Sequence, residues 1–429
     1  MAPADDSLRI ALLVYRGNPH CGGQGVYVRH LSAALVDLGH HVEVLSGPPY
    51  PELDGRVPLV RLAGLDLYRQ PDPFRRPGLG ELRSVVDVAE YALMCTAGFP
   101  EPWAFSVRAR RALGQRRHDF DVVHDNQSLG TGLLAIQAPP PAGLGLPVLG
   151  TIHHPVTVDR RVELAHTADR LRRLTLRRFY GFTRMQTRVA RRLPRIITVS
   201  SSSLDDIVDD HGVERCRIRV VPVGVDGERW RPLPQVARVP GRVMTTASAD
   251  VSMKGLAYLL EGLAKLRTER PDAELVVIGA LRPDSPLRPL VERLGLAGAV
   301  RFVSGVGDER LVELYAEAEV AVVPSLYEGF SLPAIEAMAC GVPLVATTGG
   351  ALPEVVGGDG TTAVLVPPGD AGALAAAIAG LLDDPRRRAR LGQAGRARVL
   401  ERYTWRVTAE ATVGQYREVI AARAAAAAC

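Results

Sequence analysis

Short, unbroken apolar runs recur along the chain, each followed by a turn and an amphipathic stretch, and this rhythm restricts the fold more than any other feature. Residues 8–15 (LRIALLVY) form the first run. A run without polar alternation suits a strand buried on both faces of a parallel sheet. A glycine-rich turn, GNPHCGGQG, leads into helical periodicity over residues 26–38, closed by Gly39. Residues 41–45 (HVEVL) are the next strand, completing a βαβ unit with a glycine loop at its first turn. The same pattern predicts strands at 121–124, 147–153, 195–199 and 218–221.

Residues 222–240 are proline-rich and aperiodic, and read as a linker. A second α/β series follows, with strands at 242–247, 274–279, 300–303, 320–324 and 343–347 and a helix at 255–270. Further helices start at Ala371 and Trp405, and the final AARAAAAAC reads as a frayed tail. Alternating strands and helices indicate doubly wound parallel sheets. The expected domains are 1–222 and 223–405, with the closing helix, 406–425, returning to the first. Open α/β sheets bind ligands outside the carboxyl ends of their strands, so two such edges facing each other would form a cleft.

Length agrees: 429 residues exceed one ordinary core. The net charge of +5 is too small to argue for nucleic acid. Five scattered cysteines without a Cys-x-x-Cys pair read as reduced thiols, so a cytoplasmic location is expected and a structural zinc site is not. The N-terminus is acidic where a signal peptide would be basic, and no apolar run approaches the roughly 20 residues of a bilayer span.

The chemistry concentrates in PSLYEGFSLPAIEAMACGVPLV, residues 324–345. Here a strand ends, a loop carries Glu328, Gly329, Phe330 and Ser331, and Pro333 suits the first turn of a helix that bears Glu336 and ends at Gly341. Gly329 lets backbone approach a ligand. Unpaired N–H groups at a helix start meet hydroxyl or phosphate oxygens, and carboxylates accept from polyols. Taken alone, two such glutamates equally suit stabilisation of a helix N-terminus through its dipole.

The wider set of segments decides between these readings. CGGQGVYVRHLSAALVDLGHHVEVL, VVPVGVDGERWRP, MKGLAYLLEGLAKL, ELVVIG and VPSLYEGFSLPAIEAMACGVPLVATTGGALPEVV occur in that order, followed by a closing helix after Tyr403 and Trp405. The series resembles the retaining family 4 glycosyltransferases, with their Glu-x7-Glu motif and GT-B fold of two Rossmann-like domains facing a cleft. The resemblance implies that Glu336 holds the ribose of a nucleotide-sugar donor and Glu328 the sugar hydroxyls. It lines the sugar and phosphates with backbone groups of Gly329, Phe330, Ser331 and Leu332, and brings Gly23 to the diphosphate or acceptor. His153, at a strand's carboxyl edge, would line the donor sugar; a histidine bonded within the fold is the alternative. His124, after DVV, is a weaker candidate of the same kind.

Lys254 follows a strand and precedes a helix, where a fixed ammonium neutralises a diphosphate leaving group. The resemblance also implies an arginine five residues earlier, and Ala249 stands there instead. Arg16 or Arg282 is the expected substitute. Thr348, Gly349 and Gly350 follow another strand and suit close approach to a ligand.

No Asp-x-Asp pair occurs in a loop after a strand, so a metal-free site without a cofactor is expected. The implied catalytic set is Glu328, Lys254 and His153. The implied reaction is transfer, with retention, from a nucleotide-diphosphate sugar, UDP being the favoured nucleotide. The acceptor is a small molecule, glycan or lipid-linked group, and CTAGFPEPWAFSVRARR, with Phe99, Trp103 and Phe105, is a candidate wall for it. Residues 159–195 carry twelve arginines against Asp159, Glu163 and Asp169, with Phe179, Tyr180 and Phe182 interleaved. That face suits peripheral contact with an anionic membrane, an anionic acceptor, or solvent alone. A sugar phosphorylase or sucrose-synthase-like enzyme, and a non-catalytic nucleotide-sugar-binding protein, are the alternative functions. A Rossmann oxidoreductase fits less, because GGQGVY lacks the third glycine.

Overall fold

The computed structural model describes residues 7–18, 23–69, 72–247 and 251–428. They form two compact units. The first comprises Met1–Val199, Ser203–Val221 and Thr408–Cys429, and the second Ser200–Ser202 and Pro222–Val407.

The first unit holds β1 (Arg9–Val14), β2 (His41–Ser46), β3 (Leu59–Arg61), β4 (Val122–Asn126), β5 (Val148–Ile152), β6 (Ile196–Thr198) and β7 (Ile218–Val220). Their order is β3-β2-β1-β4-β5-β6-β7, and every pair is parallel. All of β1 but its first residue is buried, as are β4 and β5 throughout. Continuous burial explains the unbroken apolar runs. Helix Gln24–Asp37 buries Tyr27, Val28, Leu31 and Leu35, an apolar stripe of helical period.

Helix Trp405–Ala428 ends the chain, and from Thr408 onward it belongs to this first unit. Tyr416, fully buried, lies with its hydroxyl 2.7 Å from His124 Nδ1. Arg195 Nη2 donates to Glu418 Oε2 at 2.5 Å. The alanine-rich tail is therefore helix as far as Ala428, not frayed chain. Alanine has the highest intrinsic helix propensity, and extending an anchored helix adds a bond for each residue fixed.

The second unit holds β8 (Arg242–Thr246), β9 (Glu274–Ile278), β10 (Val300–Val303), β11 (Val320–Val323), β12 (Leu344–Thr347) and β13 (Val364–Val366). Their order is β10-β9-β8-β11-β12-β13, again parallel throughout. Helix Leu256–Glu269 buries Leu256, Leu259, Leu260, Leu263 and Leu266. It packs on helix Ala371–Leu382, which buries Leu374, Ile378 and Leu381. A Cβ on Gly262 would stand 2.9 Å from the carbonyl oxygen of Ala371, so the close crossing depends on that glycine.

Residues 222–240 are not a loose linker. Trp230 is buried edge-on to Tyr315, with ring centroids 6.0 Å apart, and its carbonyl accepts from Arg396 Nη1 at 3.1 Å. Side chains hold this segment in place with little regular structure, which is why it shows no periodicity. The short strands β3 and β13, each at a sheet edge and three residues long, also escape the sequence pattern.

Strand order reverses between β1 and β4 in the first sheet and between β8 and β11 in the second. At such a switch point the connections leave in opposite directions and open a crevice at the carboxyl ends. The loops after β8 and β11 carry Lys254 and Glu328, those after β1 and β5 carry Gly23 and His153, and Asn126 ends β4.

Candidate active site

In the second unit, Lys254 Nζ donates to both oxygens of Glu328, at 2.8 and 3.1 Å. Ser325 Oγ donates to Glu328 Oε1 at 2.6 Å. Thr347, at the end of β12, donates its hydroxyl to the Ser325 carbonyl. The Glu328 carboxylate is thus fixed from two sides, with a tenth of its side chain exposed, while Lys254 stays a third exposed. Gly255 takes φ 66°, and a Cβ there would lie 2.0 Å from the Pro324 carbonyl oxygen. Only glycine lets the turn carrying Lys254 close against the Glu328 loop.

Gly349 and Gly350 serve the same loop. A Cβ on Gly349 would stand 2.5 Å from the Leu326 oxygen, and one on Gly350 2.3 Å from the Glu328 oxygen. Ala351 N–H donates to that Glu328 carbonyl at 2.8 Å. The close approach expected of these glycines is to the protein's own backbone.

Beyond Glu328 the chain turns through Ser331, whose φ of 98° is rare for a residue with a Cβ. Its hydroxyl is buried and has no hydrogen-bond partner among the described residues. Ser331 caps helix Leu332–Ala339 without a side-chain hydrogen bond to its first turn. Phe330 is buried edge-on to Tyr403, at 5.7 Å, which anchors this strained turn. The result is a helix start with free amides beside a fixed carboxylate. Glu336, on the second turn, has its carboxyl pushed up to about 8 by burial and then by the negative charge of Asp308.

In the first unit, Gly23 has φ 71° and starts helix Gln24–Asp37. Nothing lies within 4 Å of where its Cβ would be, so the backbone angle, not crowding, requires glycine here. Asn126 joins this helix start to His153. Its Nδ2 donates to the Gln24 carbonyl at 3.2 Å, and its Oδ1 lies 2.7 Å from His153 Nε2. His153 packs edge-on against Tyr27 at 4.5 Å. The contact with Asn126 Oδ1 puts the ring proton on Nε2 and leaves Nδ1 as an acceptor. Burial lowers the pKa of His153 to about 4, so the ring is neutral at neutral pH.

His124 is no site residue. It sits inside β4, with Nδ1 on Tyr416 and Nε2 2.6 Å from Thr151 Oγ1, and burial lowers its pKa to about 3. β4 runs two residues beyond it, so its side chain belongs to the core. Arg16 pairs with Glu101 at 3.4 Å and donates to the Tyr68 carbonyl. Arg282 lies 3.4 Å from Asp284. Ser248, Ala249 and Asp250, like Cys21 and Gly22, lie outside the described residues.

Comparison with known proteins identifies the family. Residues 21–229 match the family model described as Glycosyltransferase Family 4, and residues 236–398 the model of glycosyl transferases group 1. The chain is 53% identical to an MMP alpha-(1->4)-mannosyltransferase of Mycolicibacterium hassiacum, over 97% of this chain and 100% of that one. The chain belongs to the family 4 glycosyltransferases. A D-inositol 3-phosphate glycosyltransferase of Streptomyces avermitilis is 30% identical, over 93% of this chain and 84% of that one. A sucrose-phosphate synthase of Thermosynechococcus elongatus superposes with a TM-score of 0.71 at 25% identity, covering 97% of this chain and 100% of that one. The fold is GT-B, built from two parallel-sheet α/β domains.

In the second unit Lys254 and Glu328 are in direct contact, Gly329, Phe330, Ser331 and Leu332 follow in the chain, and Glu336 lies on the helix they lead into; in the first unit Asn126 links the helix start after Gly23 to His153. Ser325, Thr347 and Asn126 escaped the sequence reading. Each is a small polar residue near a strand's carboxyl end, which is the signal that would have found them.

The arginine run 159–195 divides. Arg161 pairs with Asp210, Arg195 with Glu418, and Arg191 donates to the His211 carbonyl, so these are structural. Helix Arg170–Phe179 buries no residue and exposes Leu171 and Leu174. Phe179 and Phe182 pack on Phe99, at 5.3 and 5.1 Å, so these aromatics build a local cluster. Phe105 is likewise core. No helix among the described residues is long and apolar enough to cross a membrane.

Proposed function

We propose that this glycosyltransferase moves a mannosyl group, with retention, from a nucleotide-diphosphate mannose to a hydroxyl of a glycan acceptor, using no metal. The observation that carries the reading is the Lys254–Glu328 clasp, followed in the chain by the Ser331 hydroxyl, buried without a hydrogen-bond partner among the described residues, and by Glu336 on the helix Leu332–Ala339. The 53% identical mannosyltransferase supports mannose as the sugar and an α-linked product.

In the proposed reaction the ammonium of Lys254 and the amides of helix Leu332–Ala339 meet the diphosphate, while Glu328 and Glu336 accept from sugar and ribose hydroxyls. The anomeric C–O bond to the β-phosphate breaks as the acceptor oxygen attacks from the same face. The acceptor's proton passes to a departing phosphate oxygen, and nucleoside diphosphate leaves. His153, neutral and held by Asn126, offers Nδ1 to a sugar hydroxyl. Preorganised donors act where charge develops on the leaving group, so no protein nucleophile is required.

A thermal-shift screen of UDP-, GDP- and ADP-mannose and the matching glucose donors tests the reading first, since a ligand of the native state raises Tm. UDP is the nucleotide that the family resemblance favours. NMR of the product then reads the linkage, and an inverted anomer overturns retention. Dependence on inorganic phosphate identifies a phosphorylase instead. Donor binding without hydrolysis or transfer identifies a non-catalytic binder.

The proposal includes a peripheral contact of helix Arg170–Phe179 with an anionic bilayer. Exposed leucines interleaved with arginines support it. Pelleting with phosphatidylserine vesicles at low salt, lost at high salt, is expected; no pelleting at low salt ends it.

A further inference from the structure

We propose that Gln127 is the positioning residue for His153: its side-chain amide holds the end of β5 so that the imidazole stays on Asn126 and Nδ1 is left for a ligand hydroxyl. The ligand rests on the transfer reading above; the placement of the ring does not.

The β4–β5 ladder ends at the pair Asn126–Thr151. Beyond it Gln127 turns to φ 61°, so its backbone leaves the strand. The side chain takes over the pairing. Oε1 accepts from the His153 N–H at 2.8 Å, and Nε2 donates to the His154 carbonyl at 2.6 Å. One amide thereby brackets both histidines, where β5 has ended and helix Val156–His166 has not begun. On the other side of β5, pairing with β6 stops at Ile152–Thr198.

The loop keeps this glutamine in place. Asp125, fully buried, accepts from the Leu129 N–H at 2.9 Å and from the Ser128 hydroxyl. Gln186, buried on helix Thr183–Ala190, has its Nε2 3.4 and 3.3 Å from the carbonyl oxygens of Gln127 and Ser128. Leu129 is a second left-handed residue, at φ 47°. Such angles are uncommon outside glycine, asparagine and aspartate, and they persist only where the surroundings over-determine them. Glycine or asparagine would make the turn with less strain. What glutamine adds is the longer reach to β5.

His153 is consequently held at three places. Gln127 fixes its backbone, Asn126 Oδ1 lies 2.7 Å from Nε2, and Tyr27 packs edge-on at 4.5 Å. None of these contacts uses Nδ1. Burial keeps the ring neutral at neutral pH, so Nδ1 is an acceptor in a fixed direction. A sugar hydroxyl supplies the donor it needs, whereas an ionised phosphate oxygen supplies none. The ring therefore separates a sugar nucleotide from the free nucleoside diphosphate.

The test uses the full chain with 15N-labelled histidines. Gln127→Gly accepts the backbone angle but removes the amide; Gln127→Met keeps the length without either hydrogen bond. Calorimetry establishes that each variant folds. The His153 signal, one of ten histidines, is the one missing in His153→Ala. A single tautomer protonated on Nε2 is expected in the wild type, and a mixture of tautomers in both Gln127 variants.

Binding is read with GDP-mannose and UDP-mannose against GDP and UDP. His153→Ala and each Gln127 variant are expected to bind the sugar nucleotide about three- to ten-fold more weakly, the loss of one neutral hydrogen bond, and the free diphosphate within about two-fold of the wild type. Gln127→Gly combined with His153→Ala is expected to be no weaker than His153→Ala, because a residue acting through another adds nothing once that one is gone. An unchanged His153 signal in both Gln127 variants overturns the proposal. Additive losses in the double variant, or equal losses for sugar nucleotide and free diphosphate, overturn it too, since Gln127 would then serve the fold alone. Absence of binding by either sugar nucleotide, or full binding by His153→Ala, counts against the transfer reading instead, and the His153 signal then decides on Gln127 by itself.

Discussion

A Cβ on Gly350 would stand 2.3 Å from the carbonyl oxygen of Glu328, and the Gly350 backbone takes φ 62°. The loop that aims the first glutamate of the motif is thus propped from behind by the turn after β12. Gly350→Ala meets both a left-handed angle, costing about 1–2 kcal/mol, and a backbone collision. It is expected to lower Tm and to weaken donor binding at least ten-fold by displacing Glu328. Calorimetry and donor titration check this; a variant with normal donor affinity would show that the loop does not need its prop.

The Lys254–Glu328 pair allows structural and ligand roles to be separated. Lys254→Ala leaves a nearly buried carboxylate with the Ser325 hydroxyl as its hydrogen-bond donor, at a cost on the order of 1–3 kcal/mol. Adding Glu328→Gln removes that uncompensated charge, so the double variant is expected to regain most of the stability. Donor affinity is expected to stay depressed, because the diphosphate still lacks its ammonium. Recovery of donor binding together with stability would make Lys254 a purely structural cation.

Part of the candidate site was legible in the sequence because Lys254 and Glu328 lie in loops after strands, where apolar runs stop. Glu336 lies on the second turn of the helix that follows, and the roles proposed for all three come from the resemblance. What was hidden depends on distance in the chain. Nothing local to GGALPEVV says that its glycines face the backbone of residues 326–328. Nothing in DVVH says that the strand continues, so that His124 meets a tyrosine 292 residues away. The tail was misread because a run of alanines carries no pattern, although its propensity is helical. The three-residue edge strands β3 and β13 carry too little pattern to register, whereas β7, equally short and also at an edge, stands out because its run continues to Val221.

The His124–Tyr416 contact yields a prediction of its own. Tyr416→Phe leaves His124 Nδ1 buried without its partner, a loss of about 1–3 kcal/mol. Tm is expected to fall, while affinity for nucleoside diphosphate, which the second unit is proposed to bind, stays unchanged. Removal of residues 408–429 should have the same sign and a larger effect, since Tyr416, Val413 and Val419 are all buried. A truncated chain with unaltered Tm would show that the closing helix adds nothing to the first unit.

Glu336 gives the pH dependence. Its carboxyl rises from an ordinary 4.5 to about 8 in the folded chain. Between those values the folded state holds a proton that the unfolded state has released. Its contribution to stability is therefore fully present below about 4.5 and is lost as pH rises through about 8, with a slope on the order of 1 kcal/mol per pH unit. Glu101 shifts in the same direction, so the two slopes add. Glu336→Gln removes one of them: from pH 5 to pH 8, its Tm should fall less than that of the wild type. Donor affinity of the wild type should rise over the same interval as the carboxylate becomes a stronger acceptor for ribose hydroxyls, and the Gln variant should lack that rise. Parallel Tm curves for the two proteins would mean that Glu336 is ionised throughout.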